Sequence, residues 1–288
     1  MIVTRFAPSP TGYLHMGHAF AAIMAHDTAK TAGGKFLLRI EDIDTSRCRP
    51  QFEAAIIEDL AWLGLSWEKP VLRQSTRFDA YRAALDTLNA KGLLYPCFCT
   101  RAEIAAEVAR AVEAPHNIAL GPEGALYPGT CRHLDAQTRT AKIASGAPYA
   151  LRLDARKAAT FAGPLTFDEQ GAGPNGENGT IAVNPVLFGD IVLARKETPA
   201  SYHLAVVVDD AFQNVTLVTR GSDLFAATHI QRVLQMLLGL PAPTYAHHKL
   251  ILDASGKKFS KRDSTVTLRD MRARGVSPED VRMQIELD

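Results

Sequence analysis

The spacing of apolar positions along the chain alternates between two periods. Ile2–Phe6 is a short apolar run that reads as a buried strand, stopped by Pro8 and Pro10. A small-residue segment from about His18 to Lys30 reads as a helix ended by Gly33 and Gly34, and Lys35–Ile40 as a second strand. Two amphipathic helices follow. Phe52, Ile56, Ile57, Leu60 and Leu63 share one face of the first; Tyr81, Leu85 and Leu88 share one face of the second, with Gly92 placed to cap it. Farther on, Ile191–Ala194, Tyr202–Val208 and Val215–Thr219 have strand character. Leu224–Leu238 reads as a helix, with Ser222 or Asp223 as its cap and Gly239 as its stop. Lys249–Leu252 is the last expected strand, leading into a basic loop and a polar helical tail. Strand–helix alternation at this spacing predicts an α/β protein with a parallel sheet.

From Tyr95 to about Asn184 the pattern changes. Prolines scatter, cysteines appear, and Gly171–Gly179 (GAGPNGENG) is nearly pure turn chemistry, so this stretch reads as an insertion between two halves of the sheet. Cys97, Cys99 and Cys131 lie within it. Three thiols need one further ligand for tetrahedral zinc, and His116, Tyr127 and His133 are within reach in sequence, His133 leading on ligand chemistry. Cys48 stands apart and reads as a spectator.

Composition adds limits rather than a function. The chain has 288 residues, is 47% hydrophobic and 22% charged, and carries a net charge of +1. That is a folded-protein profile without a general polyanion-binding surface, so any contact with nucleic acid requires locally clustered cations. The opening MIVTRFAPSP has no apolar stretch behind a basic start, which argues against a secretory signal. The apolar run Val233–Leu240 is interrupted by Gln235 and too short to cross a bilayer. A cytoplasmic, reducing setting is expected, with metal binding favoured over disulfides.

Two segments carry chemistry. Pro8–His18 runs from strand through a Pro/Gly turn into Leu14-His15-Met16-Gly17-His18 and a helix. A helix start offers unpaired N–H groups and a positive dipole end to an anion. Gly17 lets backbone approach a ligand, and His15 and His18 can both donate to phosphate oxygens. Neither GxGxxG nor a Walker A pattern is present, which excludes the familiar dinucleotide and P-loop signatures. Near the other end, Lys257-Lys258-Phe259-Ser260-Lys261-Arg262 follows Gly256. An isolated basic run is normally solvated surface; paired with the first segment, it suits a polyphosphate whose charge grows as pyrophosphate departs.

Together the two segments resemble the signatures of class I aminoacyl-tRNA synthetases: HMGH is similar to HIGH, and KFSKR to the KMSKS loop, with Phe259 for Met and Arg262 for the final Ser. Arg5–Gly12, Arg39–Asp44, Val206–Asp210 and Arg220–Leu224 narrow the resemblance to the glutamyl subfamily. It implies a Rossmann-like (HUP-type) parallel sheet split over residues 1–95 and 185–245. An inserted zinc-containing α+β subdomain would cover 96–184, and a short C-terminal KMSKS-loop and stem-contact region with a helix 246–288. It further implies that Arg5, Phe6, Ala7, Pro8, Ser9, Glu41, Tyr202 and Arg220 bind L-glutamate, the arginines gripping its carboxylates. His15, Gly17, His18, Lys258, Ser260 and Lys261 would bind ATP with Mg²⁺, and His15, His18, Lys258 and Lys261 would serve catalysis. The family's C-x-C with Y-x₃-C pattern favours Tyr127 as the fourth ligand beside Cys97, Cys99 and Cys131 for one structural zinc, His133 being the alternative.

Only Asp263–Asp288 follows KFSKR, which is expected to leave no room for an anticodon-reading domain. The resemblance therefore leans to the branch that attaches glutamate to queuosine in the anticodon loop of tRNA(Asp), acting as a monomer with the anticodon stem-loop as partner. A truncated enzyme charging the 3′ end of tRNA(Glu), an HxGH nucleotidyltransferase and a non-catalytic RNA-binding paralogue are the competing readings.

Overall fold

The structure, a computed structural model, describes residues 1–113, 120–195, 198–251 and 266–287. In chain order it runs β1 (Val3–Phe6), α1 (Met16–Thr31), β2 (Lys35–Ile40), α2 (Pro50–Trp62), β3 (Glu68–Arg73), α3 (Phe78–Ala90), β4 (Leu94–Cys97) and α4 (Arg101–Glu113). A two-residue hairpin of β5 (Leu120–Gly121) and β6 (Gly124–Ala125) precedes α5 (Ala136–Ala144), β7 (Ala150–Leu153), α6 (Ala155–Ala162), β8 (Thr166–Glu169), β9 (Gly179–Ala182) and β10 (Val192–Ala194). Then come α7 (Tyr202–Phe212), β11 (Leu217–Gly221), α8 (Phe225–Leu238), β12 (Thr244–His248), α9 (Leu268–Ala273) and α10 (Pro278–Leu287).

The expected α/β architecture with parallel strands is present. β1, β2 and β3 form one parallel sheet; β11, β12 and β8 run parallel in a second, edged by antiparallel β9. The two sheets meet at β1 and the approach to β11, where Thr216 N donates to the Val3 carbonyl (3.0 Å) and Val3 N to Thr216 Oγ1 (2.9 Å). The helical stripes read from the sequence are the buried ones: Ile56 and Leu60 on α2 and Tyr81 and Leu88 on α3 are fully buried. Each such aliphatic side chain contributes about 1.5–3 kcal/mol. Gly239, at φ 67°, ends α8 in the left-handed conformation the helix stop requires.

Several expectations are corrected. Tyr202–Val208 is not a strand but the first two turns of α7, started by Ser201 Oγ accepting from Leu204 N. Residues 203–207, 209 and 210 are all buried, so the apolar run has no exposed stripe, and periodicity cannot separate a buried helix from a buried strand. Among the described residues the last strand is Thr244–His248, and residues 249–251 lie outside it; its sequence Thr-Tyr-Ala-His-His, with His247 buried, gives no apolar run from which to read a strand. Neither Ser222 nor Asp223 caps α8. They form a 3-10 turn, and the cap position is Leu224 without a side-chain bond. Sheet membership also departs from a boundary at 184. β8 and β9 belong to the second parallel sheet, because Phe167 packs against Phe225 (5.7 Å) and Tyr245 (5.6 Å). β10 instead closes an antiparallel sheet with β7 and β4.

The expected polar tail is amphipathic. Leu268, Met271, Val281 and Ile285 are buried in the same cluster as α1 and α2, and Arg282 bonds Asp27 on α1 (2.7 Å). Where α9 meets α2, Arg272 Nη2 lies 3.0 Å from Glu58 and 3.7 Å from Asp59, a fully buried residue whose carboxylate oxygens accept no hydrogen bond among the described residues. Burial raises the Asp59 carboxyl to about 6, a rise that Arg272 opposes and Glu58 adds to. Because the folded value exceeds the unfolded one, the folded state binds the proton more tightly, and stability is lost as pH rises from about 4 through 6. Asp59→Asn is therefore expected to raise Tm by roughly 2–4 °C at pH 8 and by nothing at pH 4. Thermal melts across that range check it, and an equal change at both pH values would overturn it.

Candidate active site

The C-terminal ends of β1, β2 and β11 deliver Arg5, Arg39, Glu41 and Arg220 to one buried region, the position at which open α/β sheets hold ligands. Arg5 Nε donates to Asp210 Oδ1 (3.1 Å) and its Nη1 to the Thr219 carbonyl (3.4 Å). Arg39, fully buried, donates to the same Asp210 oxygen (2.7 Å), to Gln213 (3.0 Å) and to Glu41 Oε1 (3.2 Å). Burial raises Asp210, but Arg5 and Arg39 outweigh it and hold the carboxyl below its usual range. For Glu41 burial wins over the same two arginines, and its carboxyl sits above the usual range. Next along α7, Asp209 accepts from Gln74 (3.0 Å), Arg77 (2.9 Å) and Tyr81 (2.6 Å), which locks α7 to α3.

Arg220 is held differently. Its Nε faces His247 Nε2 (3.1 Å), Nη1 donates to Gln231 Oε1 (2.8 Å) and Nη2 to Thr228 Oγ1 (2.7 Å). A cavity of about 740 Å³ opens beside this region, lined among others by Ser9, Glu41, Gln74, Val192 and Tyr202, with Arg47, Arg101 and Arg195 also contributing. Of the residues expected to bind an amino acid, Ser9, Glu41 and Tyr202 line this space, while Arg5 and Arg220 lie buried nearby. Phe6 is core, and the Pro8 carbonyl accepts from Glu41 N (3.0 Å), pinning the Pro/Gly turn to the end of β2. Cys48, read as a spectator, lines the cavity as well. Arg39 and Asp210 stand in segments that carry the family resemblance but were assigned no role from sequence; an arginine inside the apolar run Phe36–Ile40 and paired acids closing an apolar run were the available signals.

At the start of α1, His15 occupies the N-cap position and its backbone N–H donates to His18 Nδ1 (3.2 Å). A neutral His18 then carries its proton on Nε2. The two rings lie 3.8 Å apart. A Cβ on Gly17 would sit 3.3 Å from His15 Cε1, so this glycine keeps the His15 ring in place. Lys258, Ser260 and Lys261 lie outside the described residues. Both flanks of that segment return to this spot: Leu268 N donates to the Leu14 carbonyl (2.9 Å), Thr267 bridges to His15, and His248 packs on Phe20 (4.7 Å).

The cysteines form a second centre. The Sγ atoms of Cys97, Cys99 and Cys131 lie within 4.8 Å of one another, an arrangement that can hold a metal ion. Tetrahedral thiolate zinc, with bonds of about 2.3 Å, needs S···S separations of about 3.8 Å. Tyr127 Oη stands 3.4 Å from both Cys97 and Cys99 Sγ and accepts from Cys131 N (2.9 Å), whereas His133 is exposed and outside the group. His116 lies outside the described residues. Burial pushes the Cys99 thiol up to about 12; a bound dication would reverse that. Asp190 ties the centre to the fold, accepting from Tyr95 (2.5 Å), Arg132 (2.9 Å) and Ala155 N (2.9 Å).

A parallel sheet with a His-x-Gly-His helix entrance and buried arginines at its strand ends matches a known family over nearly its whole length. The model of the tRNA synthetases class I (E and Q), catalytic domain, matches residues 1–287, and the chain belongs to that family, which makes it a ligase. It is 51% identical to a glutamyl-Q tRNA(Asp) synthetase of Rhodobacter capsulatus, over 99% of this chain and 100% of that protein. It is 43% identical to the glutamyl-Q tRNA(Asp) synthetase of Symbiobacterium thermophilum, over 98% and 84%. Among solved structures, a glutamate tRNA ligase from Elizabethkingia meningosepticum, in complex with its amino acid, superposes with a TM-score of 0.74 at 30% identity. The match covers 91% of this chain and 52% of that one, so the chain spans about half that ligase's length. Among the described residues no helix is long and apolar enough to cross a membrane.

Proposed function

We propose that this protein activates L-glutamate with ATP and transfers it to queuosine at the wobble position of tRNA(Asp). The observation that carries the amino-acid half is the pair of buried guanidinium groups, Arg5 and Arg220, beside a cavity lined by Ser9, Glu41 and Tyr202. Two forked cations suit a dicarboxylate, and Glu41 suits its ammonium group. The acceptor half is supported by the relatives at 51% and 43% identity, both glutamyl-Q tRNA(Asp) synthetases by name.

In the proposed reaction the glutamate α-carboxylate attacks the α-phosphorus of ATP, forming glutamyl-adenylate as pyrophosphate leaves. An RNA nucleophile then attacks the activated carbonyl and AMP departs. The α1 entrance, with His15, Gly17 and His18, receives the phosphates; Lys258, Ser260 and Lys261 counter the charge that develops there. Mg²⁺ accompanies ATP, held mainly through the phosphates. Catalysis is then chiefly positioning and electrostatics. Cys97, Cys99, Tyr127 and Cys131 hold one structural zinc, whose part is to keep β4 and the 130–133 turn together.

Incubation with ATP, labelled glutamate and queuosine-containing or unmodified tRNA(Asp) tests the reading. Label is expected on the modified RNA alone, at the queuosine nucleoside. Label at the 3′ end of tRNA(Glu) would overturn the acceptor assignment.

A further inference from the structure

We infer that Glu169 and His247 are positioning residues that orient the Arg220 guanidinium toward the substrate carboxylate. This rests on the proposed role of Arg220 and extends it to residues that touch no substrate.

Three adjacent strands of one sheet supply the three groups in a row. Arg220 on β11 is in register with His247 on β12, and β12 pairs in turn with β8, whose last residue is Glu169. The side chains of Glu169 and His247 are fully enclosed, and Arg220 is buried. Proton positions follow from donor and acceptor chemistry alone. Arginine can only donate, so His247 Nε2 must present a lone pair to Arg220 Nε at 3.1 Å. The His247 proton then sits on Nδ1 and is donated to Glu169 Oε2 at 2.6 Å. Glu169 Oε1 meanwhile accepts the backbone N–H of both His247 and Gly171, each at 2.8 Å. Every link runs in one direction, from guanidinium through neutral imidazole to carboxylate.

The surroundings leave no slack. Gly171 continues β8 so close to β12 that a Cβ there would stand 2.1 Å from the His247 carbonyl oxygen, and Ala172 N donates to that same oxygen (3.0 Å). Thr228 and Gln231 on α8 hold the two terminal nitrogens of Arg220. Among the described residues three of the five N–H donors of this guanidinium are engaged, which leaves one on each terminal nitrogen for a ligand carboxylate. A long, rotamer-rich side chain is thereby immobilised before substrate arrives. Losing the His247 acceptor would remove one of the three contacts that fix the Arg220 guanidinium without removing its charge.

A purely structural ion pair would predict loss of stability with no preference among substrates. Positioning predicts an effect confined to glutamate. The test compares His247→Leu with His247→Gln, whose amide can accept from Arg220 and donate to Glu169. It uses glutamate-dependent ATP–pyrophosphate exchange, calorimetric binding of glutamate, and thermal melts. H247L is expected to raise the glutamate KM about tenfold or more while the ATP KM changes less than about twofold, and H247Q to recover most of the loss. If H247L does not fold, Glu169→Gln carries the test, with a several-fold rise in glutamate KM expected as the amide N–H₂ meets either the backbone N–H groups or the His247 Nδ1–H. The inference is overturned if glutamate KM stays within about twofold of wild type, or if glutamate and ATP constants rise together in step with falling Tm. Wild-type protein that neither binds glutamate nor supports exchange would overturn the proposed function and this inference with it; a competent wild type beside unaffected variants would overturn the inference alone.

Discussion

Arg220→Leu is expected to lower kcat/KM for glutamate activation by roughly 10²- to 10³-fold, with the ATP KM little changed. Removing one member of a buried, hydrogen-bonded charge pair costs about 3–5 kcal/mol, and each 1.4 kcal/mol is a factor of ten. The cost has two parts here. The substrate carboxylate loses its partner, and His247, Gln231 and Thr228 lose the donor that satisfied them in a buried setting. Arg220→Lys keeps the charge but lacks both the fork and the Nε–H aimed at His247, so most of the loss should persist. Initial-rate measurements of ATP–pyrophosphate exchange at varied glutamate decide the matter. A leucine variant within about threefold of wild type would remove Arg220 from the substrate site.

Removal of the metal should have the next largest effect. Purified protein is expected to contain close to one zinc per chain, and Cys131→Ala close to none. A ligand held about 1,000-fold above its Kd stabilises the fold by about 4 kcal/mol, so a strong chelator or the alanine variant should lower Tm by roughly 5–10 °C. Tyr127→Phe separates the ligand set from the packing, because it keeps the ring under the Arg152 guanidinium (3.9 Å) and removes only the oxygen. Weakened zinc retention in Tyr127→Phe with full retention in His133→Ala would identify the phenol as the fourth ligand. The reverse pattern would select His133, and wild-type protein without near-stoichiometric zinc would remove the centre altogether.

The parts of this molecule that were legible in the sequence are those in which function is compressed into a short stretch. His15, Gly17 and His18 are local to one helix start, and the structure places them there as a three-residue unit. Cys97 and Cys99 are two residues apart, and both belong to the group that Cys131, 32 residues beyond Cys99, completes. The amphipathic helices α2 and α3 announced their buried faces because each has one wet side. Tyr202–Phe212 did not, since burial on almost every side erases the stripe from which a helix is read. The strand Thr244–His248 was obscured for a related reason: His247 is polar in sequence but buried in the sheet, made tolerable by Glu169 and Arg220 on the strands to either side.

Those two neighbours mark the limit. Glu169 is 78 residues from His247 in the chain, and Asp210 is 205 residues from Arg5. Residue type and spacing identify groups that act beside one another along the backbone, because propensity, capping and turn chemistry are local. They carry no information about which distant carboxylate will face which guanidinium. That pairing arises when β11, β12 and β8 come into register and α7 brings Asp210 to Arg5 of β1 and Arg39 of β2. The sequence thus named the class of chemistry and most of the groups expected to touch substrate, including Arg5, Ser9, Glu41, Tyr202 and Arg220. The packed strands and α7 supplied the buried partners, Arg39, His247 and Glu169 from strands and Asp210 from the helix, that set the charge and aim of those groups.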